Sequence, residues 1–185
     1  MALLTALRAP ERVPTVAALS IIHPWPRPPA PSPRALVPLA YQLPLAAPVA
    51  GEQLLRRVPG FVRELIRRGS HPGHRWTGDE LDGYADVLRA PERARASSAI
   101  YRTFLTREAG ALLAGRYRDA RLAMPALMLT GAADPVVRPA LLEGLDRHAG
   151  AGAWSATVER AGHFLPEERP DAVLGALREH IRRAA

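Results

Sequence analysis

The stretch Pro125-Ala126-Leu127-Met128-Leu129-Thr130-Gly131-Ala132-Ala133-Asp134 decides how the rest of the chain is read. From Ala126 to Thr130 it is apolar at almost every position, ends on a β-branched residue and is stopped by a glycine turn. A short continuous apolar run without alternation suits a strand buried on both faces, as in a parallel sheet. Asp134 then falls just past the carboxyl end of that strand. Downstream, Trp154-Ser155-Ala156-Thr157-Val158 has the aromatic and β-branched content of a second strand, and Pro170 to Arg183 repeats apolar residues at helical spacing. Between them lies the loop Ala161-Gly162-His163-Phe164-Leu165-Pro166-Glu167-Glu168. With Pro139 to His148 read as a helix ahead of the glycine-rich turn 149–153, the order strand, helix, strand, helix implies parallel crossovers. Asp134 and His163 therefore leave consecutive strands at one edge of the sheet, the edge where open α/β folds collect ligands.

A histidine alone in such a loop would simply pack or cap the next helix. A carboxylate at the neighbouring strand end adds a chemical reading. The acid fixes the ring tautomer and stabilises the imidazolium as the ring takes a proton, which makes the pair a base and its orienter.

Upstream, Met1 to Ala9 reads as an apolar helix stopped by Pro10, and Val13 to Ile22 as a further buried strand, again suited to parallel pairing. Pro26 to Pro33 is so rich in proline that it fits only an extended connector. From Pro38 to Arg121 no convincing strand occurs. Helices are expected over Gly51 to Arg68, Gly78 to Leu88, Pro91 to Ala109 and Ala111 to Arg118. Thr77-Gly78-Asp79-Glu80 is a capping box, in which threonine and glutamate each satisfy an amide at the helix start. A helical block of about 80 residues between strands has the size of a small inserted domain.

Composition narrows the class. Cysteine is absent, which removes disulfides, thiolate metal sites and a cysteine nucleophile. No apolar run is long enough to cross a bilayer and no secretory leader opens the chain, so a soluble, cytoplasmic protein without a membrane partner is expected. The net charge of +7 would ordinarily raise nucleic acid as a partner. All 25 basic residues are arginine, however, in a chain without lysine or asparagine, the usage expected of a GC-rich genome. They are scattered, often near acids, and no nucleic-acid motif accompanies them.

The acid-bearing strand and turn 125–134, with Ala161-Gly162-His163-Phe164 followed by Glu167, Glu168 and Pro170, resembles the corresponding segments of the α/β-hydrolase superfamily, acid before histidine in chain order. Ala9-Pro10-Glu11-Arg12-Val13 resembles the end of the helix after that superfamily's nucleophile. The resemblance covers nearly the whole chain and places the helical block where the family inserts its cap. It implies a partial α/β-hydrolase fold of about three parallel strands with flanking helices and an all-helical cap. Residues 1–26 would hold the end of the nucleophile helix and one strand, 27–121 the cap with its connector, and 122–185 the part carrying acid and histidine.

Within the superfamily, Tyr41-Gln42-Leu43-Pro44 and Ile100-Tyr101-Arg102 resemble the cap segments that carry the paired lid tyrosines of epoxide hydrolases. Those phenols donate to the epoxide oxygen as the ring opens; the other reading is that Tyr41 and Tyr101 only pack the cap. The implied catalytic set is His163, Asp134, Tyr101 and Tyr41, acting without cofactor on a small apolar epoxide or ester. The sequence contains no G-x-S-x-G or G-x-D-x-G nucleophile turn. By the spacing to Pro10, that turn is expected a few residues before Met1, in a longer protein, so that these residues alone would be inactive. A serine there would imply an esterase or lipase-like enzyme. A non-catalytic remnant that self-associates through exposed sheet is the remaining expectation.

Three weaker groups complete the reading. His23, Trp25 and Phe164 are candidates to line a substrate pocket, with a structural link from sheet to cap as the alternative for His23-Pro24-Trp25. His71-Pro72-Gly73-His74 with Asp79 has no metal-specific spacing, and no metal is expected. Glu167 and Glu168 are read as favouring the amino end of the last helix.

Overall fold

A computed structural model describes residues 2–25, 40–150 and 152–184. The proline-rich connector at 26–33 lies outside the described residues. The chain divides into two compact units, one formed by Met1–Pro29, Ser70–Gly73 and Gly115–Ala185, the other by Ala30–Gly69 and His74–Ala114.

The first unit is built on a three-stranded parallel sheet in the order β1 (Val16–Leu19), β2 (Ala126–Gly131), β3 (Trp154–Val158). Val16 pairs with Ala126 and Leu127 with Trp154, each pair opening its register. All six residues of β2 are buried, as its unbroken apolar run requires of a centre strand. In β3 the exposure alternates, with Ser155 and Thr157 outward and Val158 buried. The first strand is shorter than the run 13–22 suggests: Ser20 turns to φ 47° and ends it, although its amide still donates to Leu129 O. A helix α1 (Ala2–Arg8) precedes it, ending before Pro10, which opens a single 3-10 turn.

One sheet face packs on the final helix α9 (Pro170–Ala184). Leu127, Leu129, Val158, Ala161, Leu165 and Val173 form one buried cluster there. Each fully buried leucine among them contributes roughly 1.5–3 kcal/mol relative to exposure. The core face of α9 also carries His180, 2% exposed, whose Nε2 meets Thr15 Oγ1 at 2.6 Å.

In the second unit α2 (Gln42–Ala46), α3 (Ala50–Arg57), α4 (Pro59–Gly69), α5 (Gly78–Val87), α6 (Pro91–Thr103) and α7 (Ala109–Leu113) follow one another, with no strand among the described residues. The single helix expected over Gly51 to Arg68 is in fact α3 and α4. Pro59 lacks an N–H and drives Val58 to φ −122°, ψ 72°, out of the helical region. A π-helical stretch, Phe104–Glu108, joins α6 to α7, so the two helices expected after Pro91 are one continuous rod. The Thr77–Glu80 capping box forms as expected at the start of α5.

The segment expected as a helix from Pro139 to His148 instead forms two short 3-10 turns, Pro139–Leu142 and Leu145–Arg147. Gly144, at φ 87°, and the extended Glu143 between them break any continuous helix.

Candidate active site

Parallel β2 and β3 end side by side, and the loops that leave them carry Asp134 and His163. Each loop is tied down before its functional residue is reached. Ala132 N donates to Val158 O, Ala133 N to Ala161 O, and Asp134 N back to Gly131 O. Thr130, fully buried, donates its hydroxyl to Val137 O and so closes the acid loop from the other side.

The Asp134 side chain is completely buried and engaged on both oxygens. Oδ1 accepts from Val136 N at 2.8 Å and Val137 N at 2.9 Å, the turn that aspartate forms with the backbone ahead of it. Oδ2 faces His163 Nδ1 at 3.0 Å, with Oδ1 at 3.2 Å. Because the carboxylate can only accept, Nδ1 carries a proton, the tautomer that presents Nε2 as the basic nitrogen when the ring is neutral. The imidazole is 27% exposed. Phe164 stands edge-on to the ring, centroids 5.6 Å apart.

Space at the base of the pair is tight. A Cβ on Gly131 would lie 2.2 Å from Gly162 O and 2.3 Å from Ala161 O. Only glycine lets the acid loop approach the histidine loop this closely.

Glu168 departs from the sequence reading. Rather than serving the amino end of α9, its carboxylate turns back onto the histidine loop from the end of the short helix α8 (Leu165–Glu168). Oε2 accepts from Gly162 N at 2.9 Å and from His71 N at 2.8 Å, and Oε1 accepts from Phe164 N at 3.1 Å. Both neighbours of His163 are thus bonded to one buried carboxylate. Nothing in the sequence announces this, since His71 is 97 residues away and helical periodicity says nothing of where a carboxylate turns.

In the helical unit Tyr41 and Tyr101 do come together, edge to face at 5.9 Å between centroids. Tyr41 stands at the start of α2 and Tyr101 near the end of α6. Ser98 Oγ, buried, donates to Leu45 O at 2.8 Å and clamps the two helices. The α3 backbone is also close, since a Cβ on Gly51 would lie 2.1 Å from Leu45 O. Burial, then the charge and hydrogen bond of Tyr41, push the Tyr101 phenol above its ordinary range, so it stays a neutral donor.

His23 and Trp25 pack within the first unit. His23 is fully buried and accepts from Trp25 N at 3.2 Å, while Trp25 donates from its indole to Tyr117 O at 2.5 Å and stacks on His148 at 4.7 Å. Burial holds the His23 ring below its usual titration range. His71 Nδ1 accepts from Gly73 N at 2.9 Å, and His74 packs edge-on against Trp76. No group of three potential metal ligands gathers among the described residues, and no described helix is long and apolar enough to cross a membrane.

No family model matches the chain, and no curated protein sequence does. Solved structures do match. A Pseudomonas aeruginosa protein assigned as an epoxide hydrolase is 26% identical, with a TM-score of 0.75 over 97% of this chain and 62% of its own. An assigned acyltransferase from Salmonella enterica shares 18% identity at a TM-score of 0.79, covering 100% of this chain and 61% of its own. The 2-hydroxy-6-oxo-6-phenylhexa-2,4-dienoate hydrolase of Rhodococcus sp. strain RHA1 shares 22% at a TM-score of 0.64, over 98% and 59%. The chain thus spans about three fifths of the length of the structures it matches.

Proposed function

We propose that this chain, whose fold is part of that of the α/β-hydrolases, contributes the base, its orienting acid and the lid tyrosines of an epoxide hydrolase-like enzyme. The observation that carries the proposal is the buried Asp134 held against His163 Nδ1 at 3.0 Å at the strand ends. The Tyr41–Tyr101 pair favours epoxides over other substrates, because phenols can donate hydrogen bonds to a developing alkoxide.

The reaction needs a nucleophile from sequence outside these 185 residues; without one they do not turn over. A carboxylate attacks an epoxide carbon, the C–O bond breaks, and the alkoxide takes a proton from a tyrosine. His163 Nε2 then removes a proton from water, which attacks the ester carbonyl and releases the diol and the carboxylate. The imidazolium gives up its proton to solvent and the tyrosinate regains one from solvent, and Asp134 stabilises the ring while it is charged. A serine nucleophile would use the same dyad for ester hydrolysis.

The test is His163→Gln in the protein at its natural length, incubated with a styrene-type epoxide and followed by intact mass. Accumulation of an adduct equal to enzyme plus epoxide is expected, since ring opening survives and ester cleavage does not. Undiminished turnover would refute the assignment. One observation favours a non-catalytic alternative, assembly through the sheet edge: among the described residues β1 pairs on one side only, with β2. Sedimentation that gives a monomer at micromolar concentration removes it.

A further inference from the structure

We infer that Glu168 is the positioning residue of His163, holding the base in register with Asp134 by gripping the residues on either side of it. The inference rests on the reading of His163 as the base. Its physical content is a carboxylate with 8% of the residue exposed, satisfied among the described residues by three backbone amides. A buried carboxylate is tolerated only when its lone pairs are filled, and charge-assisted bonds of this kind are stronger and more directional than neutral ones. Two of the three donors, Gly162 N and Phe164 N, bracket His163. The third, His71 N, belongs to the segment Ser70–Gly73, which the same oxygen fastens to the loop.

The geometry explains a division of labour around the ring. Asp134 fixes the far side of the imidazole through Nδ1 but exerts no control over the Cα of residue 163. The Ala133 N–Ala161 O bond holds the loop just before His163, and the amides on either side of the histidine donate to Glu168. Glu168 restrains them from a helical turn anchored by Leu165, which is fully buried. A shift of the loop by about 1 Å would break the 3.0 Å contact with Asp134, a displacement that costs a positioned catalytic group on the order of 10²-fold in rate.

The experiment uses the protein at its natural length and reads the histidine directly. Ring nitrogen and Nδ1 proton resonances of His163 are recorded by NMR in the parent, Glu168→Ala and Glu168→Gln, alongside turnover. In E168A both acceptor oxygens, and with them all three hydrogen bonds, vanish; in E168Q the amide keeps one oxygen and presents a donor to a donor. Both variants are expected to lose the Nδ1 proton signal of the Asp134-bonded tautomer, and turnover is expected to fall roughly 10²-fold at unchanged KM. If E168A fails to fold, E168Q carries the decision. A parent-like Nδ1 signal in whichever variant is folded overturns the inference. A protein that opens no epoxide leaves the NMR result standing, so failure of the proposed activity and failure of the positioning role are told apart.

Discussion

Replacing Gly131 by alanine tests the site at its narrowest point. The added Cβ would meet Gly162 O at 2.2 Å and Ala161 O at 2.3 Å, and real Cβ atoms essentially never come within 3.0 Å of such neighbours. The loops must therefore part by 3.0 − 2.2, about 0.8 Å. Both obstacles are backbone oxygens, and Ala161 O already accepts from Ala133 N, so neither rotates aside as a side chain would. Overpacking of a tight core costs about 1–3 kcal/mol, and the rigidity here sets the expectation at the upper end. For a chain of this size that is roughly 6–12 °C in Tm. The assay is thermal unfolding followed by circular dichroism, with Gly175→Ala as the control. Gly175 lies in α9 with nothing within 4 Å of a built Cβ, so alanine there stabilises by about 1 kcal/mol. If G131A melts with the parent and keeps the Asp134-bonded histidine signal, close approach of the two loops is not what sets the pair.

Two further outcomes follow from burial of titratable groups. Spectrophotometric titration of the tyrosines is expected to find one phenol, absent in Tyr101→Phe, that resists ionisation well above the ordinary 10.0; its folded value is raised, so its contribution to stability is full below pH 10.0 and is lost as pH rises beyond it. A normal titration of all tyrosines would show the pair to be open to water. His180 is held below its usual 6.5 by burial first, against a backbone hydrogen bond at Val16. The unfolded chain therefore takes up the proton first, and stability falls as pH drops through 6.5. In His180→Gln, which keeps a donor for Thr15, urea midpoints at about pH 7.5 and about pH 5 should lie closer together than in the parent; an equal acid loss would place the sensitivity elsewhere, with the buried His23 next to be tested.

The parallel sheet and the acid–histidine pair were legible because they depend on local signals. A continuous apolar run marks β2, and one residue type at each strand end marks the dyad. The Thr77–Glu80 box was readable for the same reason, being complete within four residues. What escaped depends on competition or distance. Pro59 broke a helix whose apolar spacing continues straight through it, and Gly144 broke another between two leucine-bearing turns. The role of Glu168 needed three amides from residues 71, 162 and 164, a constellation that only folding creates. For His23 and Trp25 the contacts that folding makes, with Tyr117, with His148 and with each other, are likewise distant in sequence or invisible in it.

The pairing of β1 with β2 has a consequence for how the chain is made. Thr15 Oγ1 donates to Pro125 O across 110 residues, and the sheet partners beside them are as far apart. A ribosome adding about 5–20 residues per second needs roughly 5–20 s to supply those residues. During that interval the helices of the second unit, whose contacts are short in sequence, have everything they need to form, whereas Val16–Leu19 still lacks its partner β2. The helices of the second unit can therefore form before β1 meets β2, and a nascent chain arrested before Pro125 should present a folded helical unit while the β1–β2 pairing is still unmade.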